Sequence, residues 1–178
     1  MVAKLEKEYE VQVEWRPFYL RPDTPPEGME LPDYIKNARL TGSENRLSQM
    51  AAGYEMNFVS TERILNTRLA HEATEHARRL GQGNAFHKVV FRKLYGEGLD
   101  ISSWAVLKAA ADEVGLDGQE MQRAVESGLY TQDVAAQVQE AYQIGVSGVP
   151  TYVINERYAL VGAQPYEVFK NALAKILK

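Results

Sequence analysis

The stretch that most constrains the fold is Gly145–Gln164, which reads GVSGVPTYVINERYALVGAQ. Two short runs of strand-forming residues, TYVIN and RYALV, meet at Asn155 and Glu156. Strand formers on both sides of a polar pair predict a tight β-hairpin. Pro150 directly precedes the first run, and a proline is tolerated in a sheet only at a strand start, at a bulge or on an edge strand. A chain that carries this stretch therefore has a sheet near its C-terminal end.

The residues outside the hairpin predict an α/β fold with strands drawn from both ends of the chain. In the N-terminal part, VEWRPF and the residues before it alternate apolar and polar side chains, which predicts a strand over Gln12–Trp15. Residues 2–8 have helical spacing without a capping residue in front, so they are interpreted as the last turns of a helix. After the hairpin, Gln164 as a cap and Pro165 at the first helical position predict a final helix through about Leu177.

The middle of the chain is interpreted as an inserted helical bundle. Residues 21–32 contain four prolines and predict an irregular loop. Beyond it, amphipathic segments are predicted to begin near polar caps and to end at glycines. The caps are Ser60 or Thr61, Asn84, Ser102 or Ser103, Asp117 and Thr131, and the glycines are Gly81, Gly96, Gly115, Gly128 and Gly145. The predicted domains are residues 1–28 with 146–178, and residues 29–145.

Composition excludes several classes of protein. The 178 residues carry a net charge of −4, which argues against a nucleic-acid-binding surface. No apolar run is long enough to cross a membrane, and the first residues do not resemble a signal peptide, so a cytoplasmic location is expected. The chain has no cysteine, which excludes disulfides and thiol chemistry within it.

Four stretches, read in order, resemble one family. VEWRPFYLRPDTPPEG, AHEATEHARRLG, EGLDISSWAVLKAAADEVGLD and above all GVSGVPTYVINERYALVGAQP are similar to the DsbA family, most closely to its FrnE-type branch. The family consists of thiol–disulfide oxidoreductases and isomerases with a thioredoxin fold and an inserted helical domain. The resemblance therefore implies that fold for almost the whole chain, with a cis-proline at Pro150 and with neither cofactor nor metal.

The same resemblance implies that a catalytic region is lacking. The family's Cys-x-x-Cys motif follows the first strand of the fold, and neither cysteine occurs here. The lacking piece is expected to be a strand, its loop and most of a helix, on the order of 20–30 residues. That strand would separate Gln12–Trp15 from Thr151–Ile154 in the sheet, so two inner edges would be left unpaired.

Three outcomes are compatible with these unpaired edges. The flanking strands pair directly, a second copy supplies a strand in a homodimer by strand exchange, or the natural protein is longer and begins upstream. We favour the third as the origin and strand exchange as the way in which the chain is stabilised.

The resemblance also implies which residues bind substrate. Val149, Pro150, Thr151 and Gln164 are expected to contact an extended protein or peptide substrate that carries a thiol or a disulfide. A further set, Asn66, Thr67 and His71, is expected to line a cleft opposite Pro150, with packing and hydrogen bonding as an equally good interpretation.

Other clusters are interpreted without a function. His71 and His76 are five residues apart, a spacing that does not suit two metal ligands on one helix face, so the helix face with Glu72 and Glu75 is predicted to be solvated. Asp112 and Glu113 are likewise predicted to be solvated charges. Four aromatic residues are predicted to be core: Trp15, Phe18, Trp104 and Tyr152.

Three functions are compatible with these features. The first is a DsbA/FrnE-type oxidoreductase or isomerase whose chain, as given, is inactive because it has no cysteine. The second is a relative of the glutathione-dependent 2-hydroxychromene-2-carboxylate isomerases and kappa-class transferases. The third is a non-catalytic thioredoxin-like module that binds peptides by strand addition.

Overall fold

The structure is a computed structural model that describes residues 2–40, 48–49 and 58–176. The chain divides into two compact units, one formed by Met1–Leu20 with Ala136–Lys178 and the other by Arg21–Ala135. The predicted domain limits, after residues 28 and 145, differ from these and stay a prediction. We describe each unit separately.

Helices dominate the described residues, and the strands are short. The helices are α1 (Val2–Glu8), α2 (Asp33–Leu40), α3 (Arg68–Arg79), α4 (Gly83–Phe91), α5 (Trp104–Glu113), α6 (Gly118–Glu126), α7 (Thr131–Gln143) and α8 (Tyr166–Ile176). A π-helical turn, Arg92–Gly96, follows α4. The strands are β1 (Met29–Glu30), β2 (Arg63–Ile64), β3 (Thr151–Ile154) and β4 (Tyr158–Val161).

The Arg21–Ala135 unit is a helical bundle around one apolar core. Small residues on α3 allow α4 and α6 to pack closely against it, and the larger core side chains come from the helices that follow. The fully buried members include Ala73, Ala77, Phe86, Leu107, Ala110, Ala111 and Met121. Trp104 is half-buried against this cluster, as predicted for a core aromatic residue.

Helix ends in this unit follow the predicted chemistry in part. Asp117 caps α6, because its Oδ1 accepts hydrogen bonds from the backbone N–H groups of Gln119 (2.8 Å) and Glu120 (3.0 Å). Asn84 does not cap α4, which begins at Gly83. A Cβ at Gly83 would lie 3.0 Å from Arg78 Cα, so the close passage of α4 beside α3 determines where the helix starts.

The predicted helix start at Ser60 or Thr61 is wrong. Residues 63–64 instead form β2, which pairs antiparallel with β1, and α3 begins only at Arg68. Gly28, with φ of +74°, precedes β1 and brings its backbone so close to Ile64 that a Cβ would lie 2.6 Å from the Ile64 carbonyl oxygen. The pairing with β1 holds these residues extended where local sequence alone favoured a helix.

In the other unit, the predicted hairpin is confirmed. β3 and β4 pair antiparallel, with Tyr152 opposite Leu160 and Ile154 opposite Tyr158. Side chains of helices α1 and α8 pack against Tyr152, Ile154 and Leu160 on one face of the hairpin. A cluster of three buried side chains, Leu5, Phe169 and Leu173, lies beneath the hairpin, and half-buried Tyr152 packs against it as predicted.

The predicted strand at Gln12–Trp15 is wrong as secondary structure, although its alternation is real. Val11, Val13 and Trp15 are half-buried while Gln12 and Glu14 are exposed, but no strand in the described part of the chain pairs with them. Side-chain alternation reports which face is buried, whereas a strand also needs a neighbour that accepts and donates its backbone hydrogen bonds.

We expect Glu156→Gly to stabilise the hairpin unit by about 0.5–1 kcal/mol. Glu156 lies in the hairpin turn with φ of +56°. This left-handed conformation is unfavourable for most residues and is adopted readily only by glycine, asparagine and aspartate. Urea unfolding followed by Trp15 fluorescence in a Trp104→Phe background measures the change. Asn155→Gly is the matched control, since asparagine tolerates its φ of +50° and the gain should be smaller. An unchanged or lower midpoint for Glu156→Gly would contradict the argument.

Candidate functional site

The loop before β3 presents free backbone groups to solvent. The Val149–Pro150 peptide bond is cis. The Val149 side chain is 52% exposed, and within the described residues neither its backbone N–H nor its carbonyl forms a hydrogen bond. Gly148 has no other atom within 4 Å of where a Cβ would stand. The loop is therefore open to a molecule approaching from solvent.

Hydrogen-bond alternation shows which groups of β3 are also free. The Gly162 N–H donates to the Pro150 carbonyl at 2.8 Å, so this pair is a hydrogen-bonded pair of the ladder. In an antiparallel ladder such pairs alternate with pairs whose backbone groups point away from the partner strand. Thr151 and Val153 belong to the second kind, and β3 pairs only with β4 in the described part of the chain. The outer edge of β3 thus continues the row that Val149 begins.

Thr151 forms a hydrogen bond within the loop before β3, and Gln164 forms one just after β4. The Thr151 hydroxyl donates to the Gly148 carbonyl at 2.7 Å, which spans the Pro150 turn. Gln164 is exposed, and its side-chain amide donates to the Val161 carbonyl at 2.8 Å. Of the four residues expected to bind substrate, Val149 presents free backbone groups, and the side chains of Thr151 and Gln164 already form local hydrogen bonds.

The other predicted site residues lie together in the Arg21–Ala135 unit, at the start of α3. Asn66 donates through its side-chain amide to the Thr24 carbonyl at 2.6 Å and accepts from the Arg68 N–H at 2.9 Å. Thr67 precedes the helix, and its carbonyl accepts from the His71 N–H at 3.0 Å. These contacts support the packing and hydrogen-bonding interpretation of Asn66. Their role in lining a cleft stays a prediction.

A family model described as DSBA-like thioredoxin domain matches residues 1–174. The chain belongs to this DSBA-like family. The predicted resemblance to the DsbA family and the predicted fold class, a thioredoxin-like fold with a helical insertion, are both confirmed, and the assignment to the FrnE-type branch stays a prediction.

Relatives and solved structures agree with this assignment. The uncharacterized protein YwbO of Bacillus subtilis (strain 168) is 32% identical over 167 residues, which cover 93% of this chain and 82% of that protein. The crystal structure of a probable DsbA oxidoreductase from Streptomyces coelicolor matches with a TM-score of 0.78 and 25% identity, over 90% of this chain and 73% of that one.

A second solved structure shows the fold alone. A 2-hydroxychromene-2-carboxylate isomerase (HCCA isomerase) matches with a TM-score of 0.81 at 18% identity, over 99% of this chain and 86% of that one. The DSBA-like domain therefore has neighbours of oxidoreductase and of isomerase type on one scaffold.

The DSBA-like domain contains a buried polar cluster that was not predicted from the sequence. Glu72, Glu75 and His76 of α3 are at most 4% exposed, so the prediction of a solvated helix face is wrong. The cause lies in neighbouring residues, because Ala70, Ala73 and Ala77 lie on the same side of α3 and let the bundle close over it. That small-residue spacing is the signal that could have revealed the burial.

This cluster is satisfied mainly by neighbouring side chains. Glu72 Oε1 accepts from Arg68 and from the Thr131 hydroxyl, each at 3.2 Å. His76 Nδ1 lies 2.9 Å from the Tyr130 hydroxyl oxygen. Burial lowers the pKa of His76, and the nearby Glu120 carboxylate opposes this shift only in part. His76 is thus neutral near pH 7 and serves the packing of the bundle.

Several charges elsewhere form ion pairs at the surface. Glu113 contacts Arg92 and lies 2.5 Å from the buried Lys93 ammonium, so it is not simply the solvated charge that was predicted. Hydrogen bonding and attraction from Lys93 lower the pKa of Glu113. In the part of the chain that the structure describes, no three His, Asp or Glu side chains come together to form a metal site. The same residues include no helix long and apolar enough to cross a membrane.

Proposed function

We propose that this DSBA-like domain binds extended thiol- or disulfide-containing peptides along the outer edge of β3. The observation that carries the proposal is the row of free backbone groups at Val149, Thr151 and Val153. Successive outward groups on a strand are separated by two residues, or about 6.6 Å, which matches the repeat of an extended peptide. Such a peptide would add a strand to the hairpin, and its backbone would supply most of the affinity.

The proposed role is client binding rather than thiol exchange by this chain alone. Disulfide exchange requires a thiolate that attacks a disulfide sulfur, and the 178 residues include no cysteine. A DsbA-type oxidoreductase or isomerase reaction on this scaffold would therefore need sulfur atoms from outside these residues. We accordingly expect the chain on its own to give no turnover in an insulin-reduction assay.

A peptide-binding experiment tests the proposal. A fluorescein-labelled peptide with alternating Val and Thr, and with Ser in place of Cys, is titrated with the protein and followed by anisotropy. We expect Val149→Pro, which removes one N–H donor, to weaken binding about twofold to tenfold, in line with the loss of one hydrogen bond. Val149→Ala is the matched control, because it keeps the N–H group, and should bind within about twofold of the original chain.

The peptide offers an independent control that leaves the protein unchanged. Methylation of alternate backbone nitrogens prevents strand addition, so the methylated peptide is expected not to bind. Equal affinity for the methylated and unmethylated peptides would refute the proposal. Micromolar glutathione binding by calorimetry, with no peptide binding, would favour the glutathione-dependent isomerase alternative instead.

A second copy of the chain is a competing occupant of the same edge. Strand exchange in a homodimer would use the groups that the peptide needs. Light scattering with and without the peptide distinguishes the two cases, since a dimer held at β3 should dissociate as the peptide binds. A monomer at all concentrations that still binds the peptide would support peptide docking and exclude strand exchange.

A further inference from the structure

A groove of about 560 Å³ lies between β4 and α8, on the side of the hairpin away from the outer edge of β3. Its floor is apolar and is formed by side chains from the hairpin and from α8, namely Ile154, Leu160, Val168, Ala172 and Ile176. The volume lies within the range of ordinary ligand sites, about 300–1,000 Å³. We call this feature the β4–α8 groove.

The backbone along the groove is also free to pair. Ala159 lines the β4–α8 groove and lies opposite Val153 in a pair whose backbone groups point away from the partner strand. Within the described residues β4 pairs only with β3, so the Ala159 N–H and carbonyl have no strand to bind. Because the β4–α8 groove lies beside an unpaired strand edge, a peptide strand can pair with that edge and place every second side chain on the floor of the groove.

The charge of the groove indicates the chemistry of its occupant. Arg157 and Lys175 are its charged lining residues, and no carboxylate lies among the described residues that form it. Neither cation forms an ion pair with another described residue, although Lys170, on the same helix as Lys175, pairs with Glu167. Two free cations on a chain of net charge −4 give the β4–α8 groove a local charge opposite to that of the whole chain.

We propose that the β4–α8 groove binds a second extended peptide, one in which acidic side chains alternate with apolar ones. The peptide pairs with β4 through the free backbone groups at Ala159, its apolar side chains contact the floor, and its carboxylates pair with Arg157 and Lys175. A fatty acid would match the charge and the floor but would leave the strand edge unpaired, so the free edge favours a peptide. This site is separate from the one proposed at β3.

The test uses the whole chain and a labelled synthetic peptide, acetyl-Gly-Glu-Val-Glu-Val-Thr-Val-Glu-Gly-amide, in an anisotropy titration. Neutralising both cations in Arg157→Gln/Lys175→Gln is expected to weaken binding about twofold to thirtyfold, as for the loss of two exposed ion pairs. Binding should also weaken in high salt, which screens such pairs. Lys88→Gln/Arg123→Gln removes the same charge from exposed positions of α4 and α6 and should bind like the original chain.

A second pair of variants tests the floor. Ala172→Glu places a carboxylate on the floor and is expected to weaken binding more than tenfold. Ala174→Glu adds the same charge to an exposed position of the same helix, where residues two apart do not share a face, and should leave binding unchanged. Circular dichroism checks that both variants fold. If Ala172→Glu does not fold, the Arg157→Gln/Lys175→Gln variant still tests the proposal.

Three results would overturn the proposal. These are equal binding by the cation variant and the original chain, equal binding of a backbone-methylated copy of the peptide, or saturable binding of decanoate without binding of the peptide. Failure of the β3 proposal can be distinguished from failure of the β4–α8 groove proposal, because Val149→Pro should not alter binding of the acidic peptide. An acidic peptide that is displaced by the Val/Thr peptide and weakened by Val149→Pro would place both at β3 and refute a second site.

Discussion

Phe86→Ala is expected to lower the free energy of unfolding of the Arg21–Ala135 unit by about 3–5 kcal/mol. Phe86 is completely buried and belongs to α4, where it packs in the core that α3, α5 and α6 share. Removing the ring leaves a cavity, because closely packed helices relax only in part around it. The loss is comparable to the total stability of many domains of this size, so a shortened native baseline or complete unfolding is expected.

The measurement uses the positions of the two tryptophans. Trp104 lies in the Arg21–Ala135 unit and Trp15 in the other, so Trp15→Phe leaves one reporter in the unit that is changed. Urea unfolding of Phe86→Ala in that background should show a large decrease in midpoint. Phe91→Ala is the control on the same helix, because Phe91 is 47% exposed and its removal should cost about 1 kcal/mol or less. Similar losses for the two variants would mean that the core is not where the structure places it.

The parts of the fold that could be predicted from the sequence are those set by local rules. The turn at Asn155 and Glu156 follows from polar residues between two strand-forming runs, and the structure gives both residues positive φ. The cap at Asp117 follows from an acidic side chain at the right distance from the first helical N–H groups. In both cases the groups that determine the conformation lie within a few residues of each other.

The parts that could not be predicted depend on contacts far along the chain. Residues 63–64 are extended because β1, more than 30 positions earlier in the sequence, pairs with them. Glu72 and Glu75 are buried because the bundle closes over α3, although charged residues are rarely buried. Residues 12–15 show the reverse case, in which a correct alternation did not become a strand because no strand among the described residues pairs with it.

The candidate sites also contain residues that could be predicted from the sequence and residues that could not. Val149 and Pro150 were predicted from a resemblance that extends over the whole chain, and the structure adds which backbone groups are free. Arg157 and Lys175 were not singled out, because one follows a turn and the other lies on a helix 18 residues later. Only the folded hairpin brings both cations to one groove.

Phe169→Ala is expected to lower the free energy of unfolding of the hairpin unit by about 3–5 kcal/mol. The buried cluster beneath the hairpin is formed by Leu5, Phe169 and Leu173, and Phe169 is the largest of the three. Its ring meets the Tyr152 ring edge to face, with centroids 4.7 Å apart, and such aromatic pairs add to the effect of burial. Because this cluster is small, few other contacts can compensate for the loss of the ring. The hairpin should therefore pack poorly against α8.

The same variant links stability to binding, because Tyr152 lies on β3 between the free groups of Thr151 and Val153. If α8 holds β3 in place through Phe169, then Phe169→Ala should weaken peptide binding at β3. Phe169→Leu leaves a smaller cavity, so it should lose less stability and less peptide affinity. Unfolding is followed by Trp15 fluorescence in a Trp104→Phe background. A variant that is destabilised by several kcal/mol yet binds the peptide as before, under conditions where it remains folded, would show that β3 does not depend on α8 for its binding geometry.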